Sequence, residues 1–134
     1  MKRFLSLRST IETSAIVSAM ALSFVQTQAA TLEAADFGVH PGRSDCGAAM
    51  LKLIDTVREQ KARRIEFEPG EYHFHQSSAR SMQLYISNHD QQAAHPVALP
   101  LVGLKNVEIC GNGARFIFHG MMLPCVLMDS EPVT

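Results

Sequence analysis

The chain has 134 residues and a formal net charge of −1, a length that favours a single domain and a charge that offers no basic field for nucleic acid. Hydrophobic residues make up 46% of the sequence, which favours a packed chain over a disordered one. No phosphate-binding Gly-rich loop, Ser/His/Asp set or zinc-type Cys/His spacing occurs, so we predict no cofactor and no metal site. Trp is absent, so stacking against a sugar ring would need Tyr72, Tyr85 or a Phe.

The first 29 residues are typical of an export signal. Three basic residues stand near the start, Lys2, Arg3 and Arg8. The apolar run Ala15–Val25 is too short to span a bilayer as a helix, and Thr27-Gln28-Ala29 suits a signal peptidase. We therefore predict cleavage after Ala29, export to the periplasm or the medium, and no membrane association of residues 30–134 afterwards. A buried or interfacial helix is the alternative interpretation.

One amphipathic helix is predicted after a loop that contains Gly38, Pro41 and Gly42. Ser44 or Asp45 is a suitable cap, because its side-chain oxygen accepts hydrogen bonds from the free N–H groups of a first helical turn. We expect the helix to run from about Cys46 to Gln60. Its apolar stripe is predicted at four residues spaced by three, Ala48, Leu51, Ile54 and Val57.

Short strands follow, because the apolar period changes to two. Apolar residues alternate with glutamates in Ile65–Glu68, and aromatic residues alternate with histidines in Tyr72–His75. Residues 76–81 predict a loop, and Gly111–Gly113 predicts a tight turn. Pro100 makes one later strand edge-like. The later strands are predicted at Leu84–Ile86, Val97–Val102, Val107–Ile109, Phe116–Phe118 and Val126–Met128.

Three local stretches resemble the opening of pectate-lyase-like right-handed β-helices. They are Asp36-Phe37-Gly38, the helix start at Ser44-Asp45, and Phe67–Tyr72. The resemblance implies an all-β fold, the start of a right-handed parallel β-helix with an amino-terminal capping α-helix. Such a cap is needed because the terminal coil of a solenoid exposes apolar core.

The stretch Leu84–Pro124 resembles glycoside hydrolase family 110, the β-helical α-1,3-galactosidases that act on blood-group-B-type glycans. The resemblance implies an exported inverting glycosidase and, as partner, a glycan with terminal α-galactose. Family members are expected to use aspartates in later coils, and no residue of this chain matches them, so no catalytic residue is assigned.

The length of the chain leaves room for only the first coils of a β-helix. We therefore expect residues 30–134 to be the amino-terminal portion of such an enzyme, inactive alone, with the catalytic part beyond Thr134. Two alternatives stay open. One is a non-catalytic β-helix module that binds glycan or builds an adhesin or tailspike, and the other is a polysaccharide lyase.

Several polar residues are candidates for a functional site. Glu66 and Glu68 are spaced like the carboxyl pair of an inverting glycosidase, but strand alternation already explains both as the solvated side. His73 and His75 share a strand face, and exposed histidines are favoured over metal ligands because no third ligand is apparent. Arg115 and His119 flank a strand and are favoured as ordinary outward-facing residues.

The polar string Ser87–Gln91 directly follows a predicted strand. Sugar hydroxyls need several directed donors and acceptors, which such a loop offers, so His89 and Asp90 are the predicted substrate-binding residues. The three cysteines are favoured as buried small residues, with a Cys110–Cys125 disulfide as the alternative.

Overall fold

The computed structural model describes residues 30–85 and 93–134. This part of the chain is mostly β-strand with one α-helix, as expected of an all-β protein. The helix α1 spans Gly47–Gln60, and short 3-10 turns lie at Ala34–Phe37 and Gln76–Ser78. The strands are β1 Thr31–Glu33, β2 Arg64–Glu66, β3 Gly70–His75, β4 Arg80–Gln83, β5 Ala94–Val102, β6 Glu108–Cys110, β7 Ala114–His119 and β8 Leu123–Met128.

The predicted signal, residues 1–29, lies outside the described residues. Among residues 30–85 and 93–134, no helix combines the length and the apolar character that crossing a membrane requires.

The strands form three small sheets in which nearly every pairing is parallel. The orders are β1-β2-β6, β3-β7 and β4-β5-β8, and only β4 runs antiparallel to its neighbour β5. The chain visits the three sheets in turn as β2, β3 and β5, and then again as β6, β7 and β8. Each strand of the second passage therefore lies beside the corresponding strand of the first.

The spacing between neighbouring strands shows where extra residues enter. Lys105 and Glu131, which form an ion pair across neighbouring passages, are 26 residues apart, as are Val97 and its β8 partner Leu123. The earlier pairs Arg64–Glu108 and Glu71–Arg115 are 44 residues apart. The difference, 44 − 26 = 18 residues, is taken up between β3 and β5, where β4 folds back on β5 as a hairpin.

The buried face of α1 differs from the predicted stripe. Met50, Leu53, Ile54 and Val57 are almost fully buried, whereas Ala48 is exposed and Leu51 is half-buried. The cause is the helical repeat of 3.6 residues: a strict three-residue spacing turns back by about 60° at each step, so Ala48 and Val57 lie on opposite sides of the helix. Residues spaced by three and four, which keep to one side, form the real core face.

Two of the predicted element types in the middle of the chain are wrong. Residues 76–81 are not a loop, because a 3-10 turn and the start of β4 occupy them. The short strand predicted at Leu84–Ile86 is also displaced, since β4 ends at Gln83 and Ile86 lies outside the described residues. The prediction rested on only two apolar residues, Leu84 and Ile86, which is too short a pattern to locate a strand. The polar residues before them form β4 instead, because they pair with β5 in a hairpin.

β5 is longer than predicted, and both of its prolines sit where a missing N–H is tolerated. Pro96 lies where β5 pairs with β4 alone, and Pro100 lies where it pairs with β8 alone. Each proline therefore has one side without a neighbouring strand, which agrees with the predicted edge-like character around Pro100. The remaining predicted strands are confirmed as β2, β3, β6, β7 and β8, and burial alternates most clearly in β2 and β3.

Aromatic rings fill the interior behind β3 and β7. Phe74 stacks on Phe118 with ring centroids 5.4 Å apart and an interplanar angle of 23°. Tyr72 meets Phe67 and Phe116 edge to face, and its hydroxyl donates to the Glu68 carbonyl oxygen at 2.9 Å. Buried Tyr72 is therefore excluded as a sugar-stacking residue, because its ring and hydroxyl are both engaged in the core.

The corrected helix face leads to a stability prediction. Leu53→Asp should lower the free energy of unfolding by about 3 kcal/mol or more, because it places an unpaired charge in a fully buried position. Leu51→Asp, on the half-buried flank, is the matched control and should cost about 1 kcal/mol. Urea denaturation followed by circular dichroism measures both. Equal losses for the two variants would contradict the assigned face.

Candidate functional site

The predicted binding residues His89 and Asp90 lie outside the described residues, and their role stays a prediction. The base of the segment that carries them is well defined. Gln83 pairs with Ala94, and the Leu84 N–H donates to the Ala93 carbonyl oxygen at 2.7 Å. Tyr85, next to this base, is 90% exposed, so of the two tyrosines it is the one available for stacking on a sugar.

Three imidazoles meet on the outward face of the β3–β7 pair. His75 and His119 are register partners, and their rings stack with centroids 4.4 Å apart and nearly parallel planes. His73 Nδ1 lies 2.9 Å from His119 Nε2. We call His73, His75 and His119 the histidine cluster.

The histidine cluster is held by hydrogen bonds with defined roles. His75 Nε2 lies 3.0 Å from the Ser44 carbonyl oxygen, which only accepts, so this nitrogen carries the proton. The ring centroids of His73 and His119 are 5.2 Å apart, whereas the nitrogens His73 Nδ1 and His119 Nε2 are 2.9 Å apart. The difference is about two ring radii, as expected when both nitrogens lie on the line between the ring centres. These two nitrogens therefore point at each other, and one must donate while the other accepts.

This geometry is that of a hydrogen-bonded pair and not of a metal site. Two imidazoles that share a metal direct their lone pairs at a common third point, whereas these nitrogens face one another. Within residues 30–85 and 93–134, no group of three or more His, Cys, Asp or Glu side chains is arranged to hold a metal ion. His73 and His75, which were expected to be exposed, are half-buried because His119 packs on both.

The meeting of His119 with the other two histidines was not predicted, although the sequence contains a signal for it. The strings Tyr72-His73-Phe74-His75 and Phe116-Ile117-Phe118-His119 alternate in the same way and lie 44 residues apart, as do Glu71 and Arg115. Aligning them would have placed the last histidine of each string side by side.

An open depression of about 610 Å³ adjoins the histidine cluster and is lined by His75, Gln76, Ser77, His119 and Gly120. Its polar groups suit a ligand rich in hydroxyls, since imidazole and hydroxyl groups both donate and accept hydrogen bonds. Gln76 also organises the wall, because its Oε1 accepts from the Met121 N–H at 3.1 Å.

Asp45 joins the start of α1 to the end of β3 beside this depression. Its Oδ1 accepts from the Gly47 N–H at 2.8 Å, the Ser78 hydroxyl at 3.0 Å and, at 3.4 Å, the His75 N–H. The N-cap position is occupied by Cys46 and not by Ser44 or Asp45 as predicted, but Asp45 still accepts from a free N–H of the first turn, and Ser44 contributes its carbonyl oxygen to His75. Burial raises the pKa of Asp45, but the three hydrogen bonds outweigh it, so the net pKa lies below the ordinary value.

Glu66 and Glu68 both point outward, as alternation predicted. Glu66 is held by Arg64, which also donates to Glu108 Oε2 at 2.9 Å on the neighbouring strand. Glu66 therefore belongs to a charge ladder on the surface of the first sheet.

Arg115 forms an ion pair with its register partner Glu71, with an N–O distance of 2.9 Å. Its predicted role as an ordinary outward-facing residue is thus confirmed. His119, predicted to be a residue of the same kind, instead completes the histidine cluster.

All three cysteines lie in the described part of the chain and are free. Only Cys46 is buried; Cys110 is half-buried and Cys125 is exposed, so the interpretation of buried small residues holds for Cys46 alone. Burial raises the pKa of the Cys46 thiol, whose Sγ donates weakly to the His40 carbonyl oxygen. The alternative Cys110–Cys125 disulfide is not formed.

The lowered pKa of Asp45 leads to a prediction on acid stability. A carboxyl group whose pKa is lower in the folded state stabilises the fold above its unfolded pKa, near 3.8, and this contribution is lost as the pH falls below that value. Asp45→Asn should therefore lower the free energy of unfolding by about 1 kcal/mol at pH 7. The difference from the parent chain should shrink as the pH falls from about 4.5 to 2.5.

Urea titrations at a series of pH values measure this difference. Asp36→Asn, at an exposed position, is the control and should change the stability little at any pH. A pH-independent gap between the parent chain and Asp45→Asn would contradict the prediction.

Comparison with known proteins places the chain beside one group of glycosidases. No protein-family model matches it. The α-1,3-galactosidase B of Akkermansia muciniphila is 42% identical over 106 residues, which cover 78% of this chain and 13% of that protein. The α-1,3-galactosidase B of Phocaeicola vulgatus is 39% identical over 62% of this chain and 14% of its own length. The α-1,3-galactosidase A of Shewanella woodyi is 36% identical over 74% of this chain and 16% of its own length.

The chain thus spans well under a fifth of the length of these three relatives. Over most of its own length it is a homologue of the α-1,3-galactosidases, which confirms the resemblance that its sequence predicts.

Proposed function

We propose that residues 30–134 supply the amino-terminal coils of an exported α-1,3-galactosidase. The observation that carries this proposal is the identity of 42% over 106 residues with the Akkermansia muciniphila enzyme. The substrate would be a glycan with terminal α-1,3-linked galactose, as the names of the relatives suggest.

The proposed architecture is the start of a right-handed parallel β-helix. It is supported by the twofold passage through three sheets and by the parallel pairing of successive passages. The last residues extend the pattern, because Val133 forms a parallel bridge with Val107 and the Ile109 N–H donates to the Thr134 carbonyl oxygen at 2.6 Å. These residues would begin a third coil in the first sheet.

In this architecture α1 would act as the cap of the coil stack. Leu53, Ile54 and Val57 join the hydrophobic core, and α1 lies against β5 and β3. An amphipathic helix placed before the first full coil can cover the apolar end that any solenoid leaves open.

The proposed reaction is a single displacement with inversion at the anomeric carbon. One carboxylic acid protonates the leaving oxygen, and a carboxylate about 6.5–9.5 Å away activates water on the opposite face of the sugar. We assign neither role to this chain. Glu66 is bound by Arg64, and strand alternation accounts for Glu68 as a solvated residue. The chain would serve as cap and scaffold for a catalytic pair in later coils.

A chimera tests the proposed role. Residues 30–134 replace the matched segment in the full-length Akkermansia muciniphila enzyme, and galactose release from an α-1,3-linked galactoside is measured. The chimera should retain activity, whereas the same enzyme without the segment should lose it, because its first coils would have no cap. The isolated chain should release no galactose. An inactive but folded chimera would count against the proposal.

The isolated chain has its own control, the double variant Glu66→Gln/Glu68→Gln. Turnover by the parent chain well above that of this variant would place the active site in the first coils and would contradict the assignment of chemistry to later ones.

Export is a further part of the proposal. The basic start, the apolar run Ala15–Val25 and the Thr27-Gln28-Ala29 site support removal of residues 1–29. Amino-terminal sequencing of the product secreted from a Gram-negative host should read from Ala30. A secreted product that retains Met1 would contradict it.

A further inference from the structure

A basic cavity lies on the described surface away from the histidine cluster. It has a volume of about 370 Å³ and is formed by the end of α1, the segment before β2 and the loop between β5 and β6. Val57 and Leu104, each 1% exposed, form its buried base, so the accessible lining is mainly polar and charged. The volume is at the small end of the range of about 300–1,000 Å³ for small-molecule sites.

Four cations line this cavity, and its lining includes no carboxylate. They are Arg58, Lys61, Arg63 and Lys105. The whole chain has 12 Lys and Arg residues against 13 Asp and Glu, so a third of its cations meet at one place on a chain with a net charge of −1. Such a concentration raises the local density of anions.

The end of the helix explains part of this charge. Cations near a helix C-terminus interact favourably with its free carbonyl groups, which accounts for Arg58 and Lys61. Arg63 and Lys105 lie outside the helix, and Lys105 enters from a loop more than forty residues further along the chain. Tertiary folding therefore adds two cations that the helix does not require.

The cations are also available to a ligand. Lys61 and Arg63 form no ion pair with any residue in 30–85 or 93–134. Arg58 pairs with Asp55 at 3.2 Å and also donates from Nε to the Val102 carbonyl oxygen at 2.9 Å, so only its remaining N–H groups are open to a ligand. Lys105 pairs with Glu131 at 3.3 Å, and the side chains of both ion pairs are exposed to solvent. Exposed pairs of this kind contribute little to stability, so a bound anion can compete for them.

The geometry points to a site for an acidic saccharide: we propose that the cavity binds the sulfate ester or carboxylate of a substituted galactose-containing glycan. Arg and Lys recognise oxyanions through charge-assisted hydrogen bonds. The choice of a galactose-containing glycan rests on the proposed function; the oxyanion specificity rests on the cavity.

Titration calorimetry on the purified 134-residue chain tests the site with three probes, a sulfated galactobiose, neutral galactobiose and inorganic sulfate. The sulfated sugar should bind most tightly, and its affinity should fall as salt rises from 0.05 to 0.5 M because salt screens the attraction. A galacturonic acid disaccharide serves as the carboxylate form of the same ligand class.

Two double variants with the same change of charge separate the cavity from the general surface. Lys61→Gln/Arg63→Gln should weaken binding of the sulfated sugar at least about tenfold. Lys52→Gln/Arg115→Gln, which removes two cations outside the cavity, should weaken it less than about twofold. Circular dichroism melts of both variants report whether the fold is retained.

Equal weakening by the two variants would overturn the proposal, because it would reflect net charge alone. Inorganic sulfate that binds as tightly as the sulfated sugar would overturn the saccharide part. Binding and catalysis are measured separately. If the chimera is active but the chain does not bind the sulfated sugar, only the proposed cavity site is wrong. If the chain binds the sulfated sugar but the chimera is inactive, only the proposed galactosidase role is wrong.

Discussion

Parallel pairing between successive passages of the chain is the constraint on which the rest of this structure depends. Neighbouring strands must stay paired in all three sheets, so the number of residues between paired positions depends on what lies between the strands: it is 26 from Val97 to Leu123 and 44 from Arg64 to Glu108. The 18 additional residues of the longer interval lie between β3 and β5 and include β4, which pairs with β5 in an antiparallel hairpin.

The same constraint places like residues side by side. Inside the stack Phe74 packs on Phe118, and outside it His75 packs on His119, since both pairs are register partners of β3 and β7. Stacked rings and cross-strand ion pairs therefore accompany the backbone pairing on both faces. The histidine cluster forms on the polar face because β3 and β7 both end in a histidine at the same register position.

Asp45 links this stack to its helix. One carboxylate oxygen receives hydrogen bonds from the first turn of α1 and from the end of β3, so the helix start and the strand end are positioned together. At the other end of α1, Lys61 adopts a left-handed conformation with φ of 53°, and the chain turns back towards β2. The basic cavity forms at this turn, where the loop with Lys105 passes beside it.

The sequence by itself determined the local elements and the family resemblance. Alternation in Ile65–Glu68 and Tyr72–His75, the Gly111–Gly113 turn and the acceptance of a first-turn N–H by Asp45 depend on neighbouring residues, so they could be predicted. The buried side of α1 also follows from the sequence once the 3.6-residue repeat is applied to it. Tertiary structure alone decided that Lys105 joins the cations of α1 and fixed the 44-residue offset that brings His119 beside His75 and His73. These two features depend on pairing between residues far apart in the chain, which local periodicity does not encode.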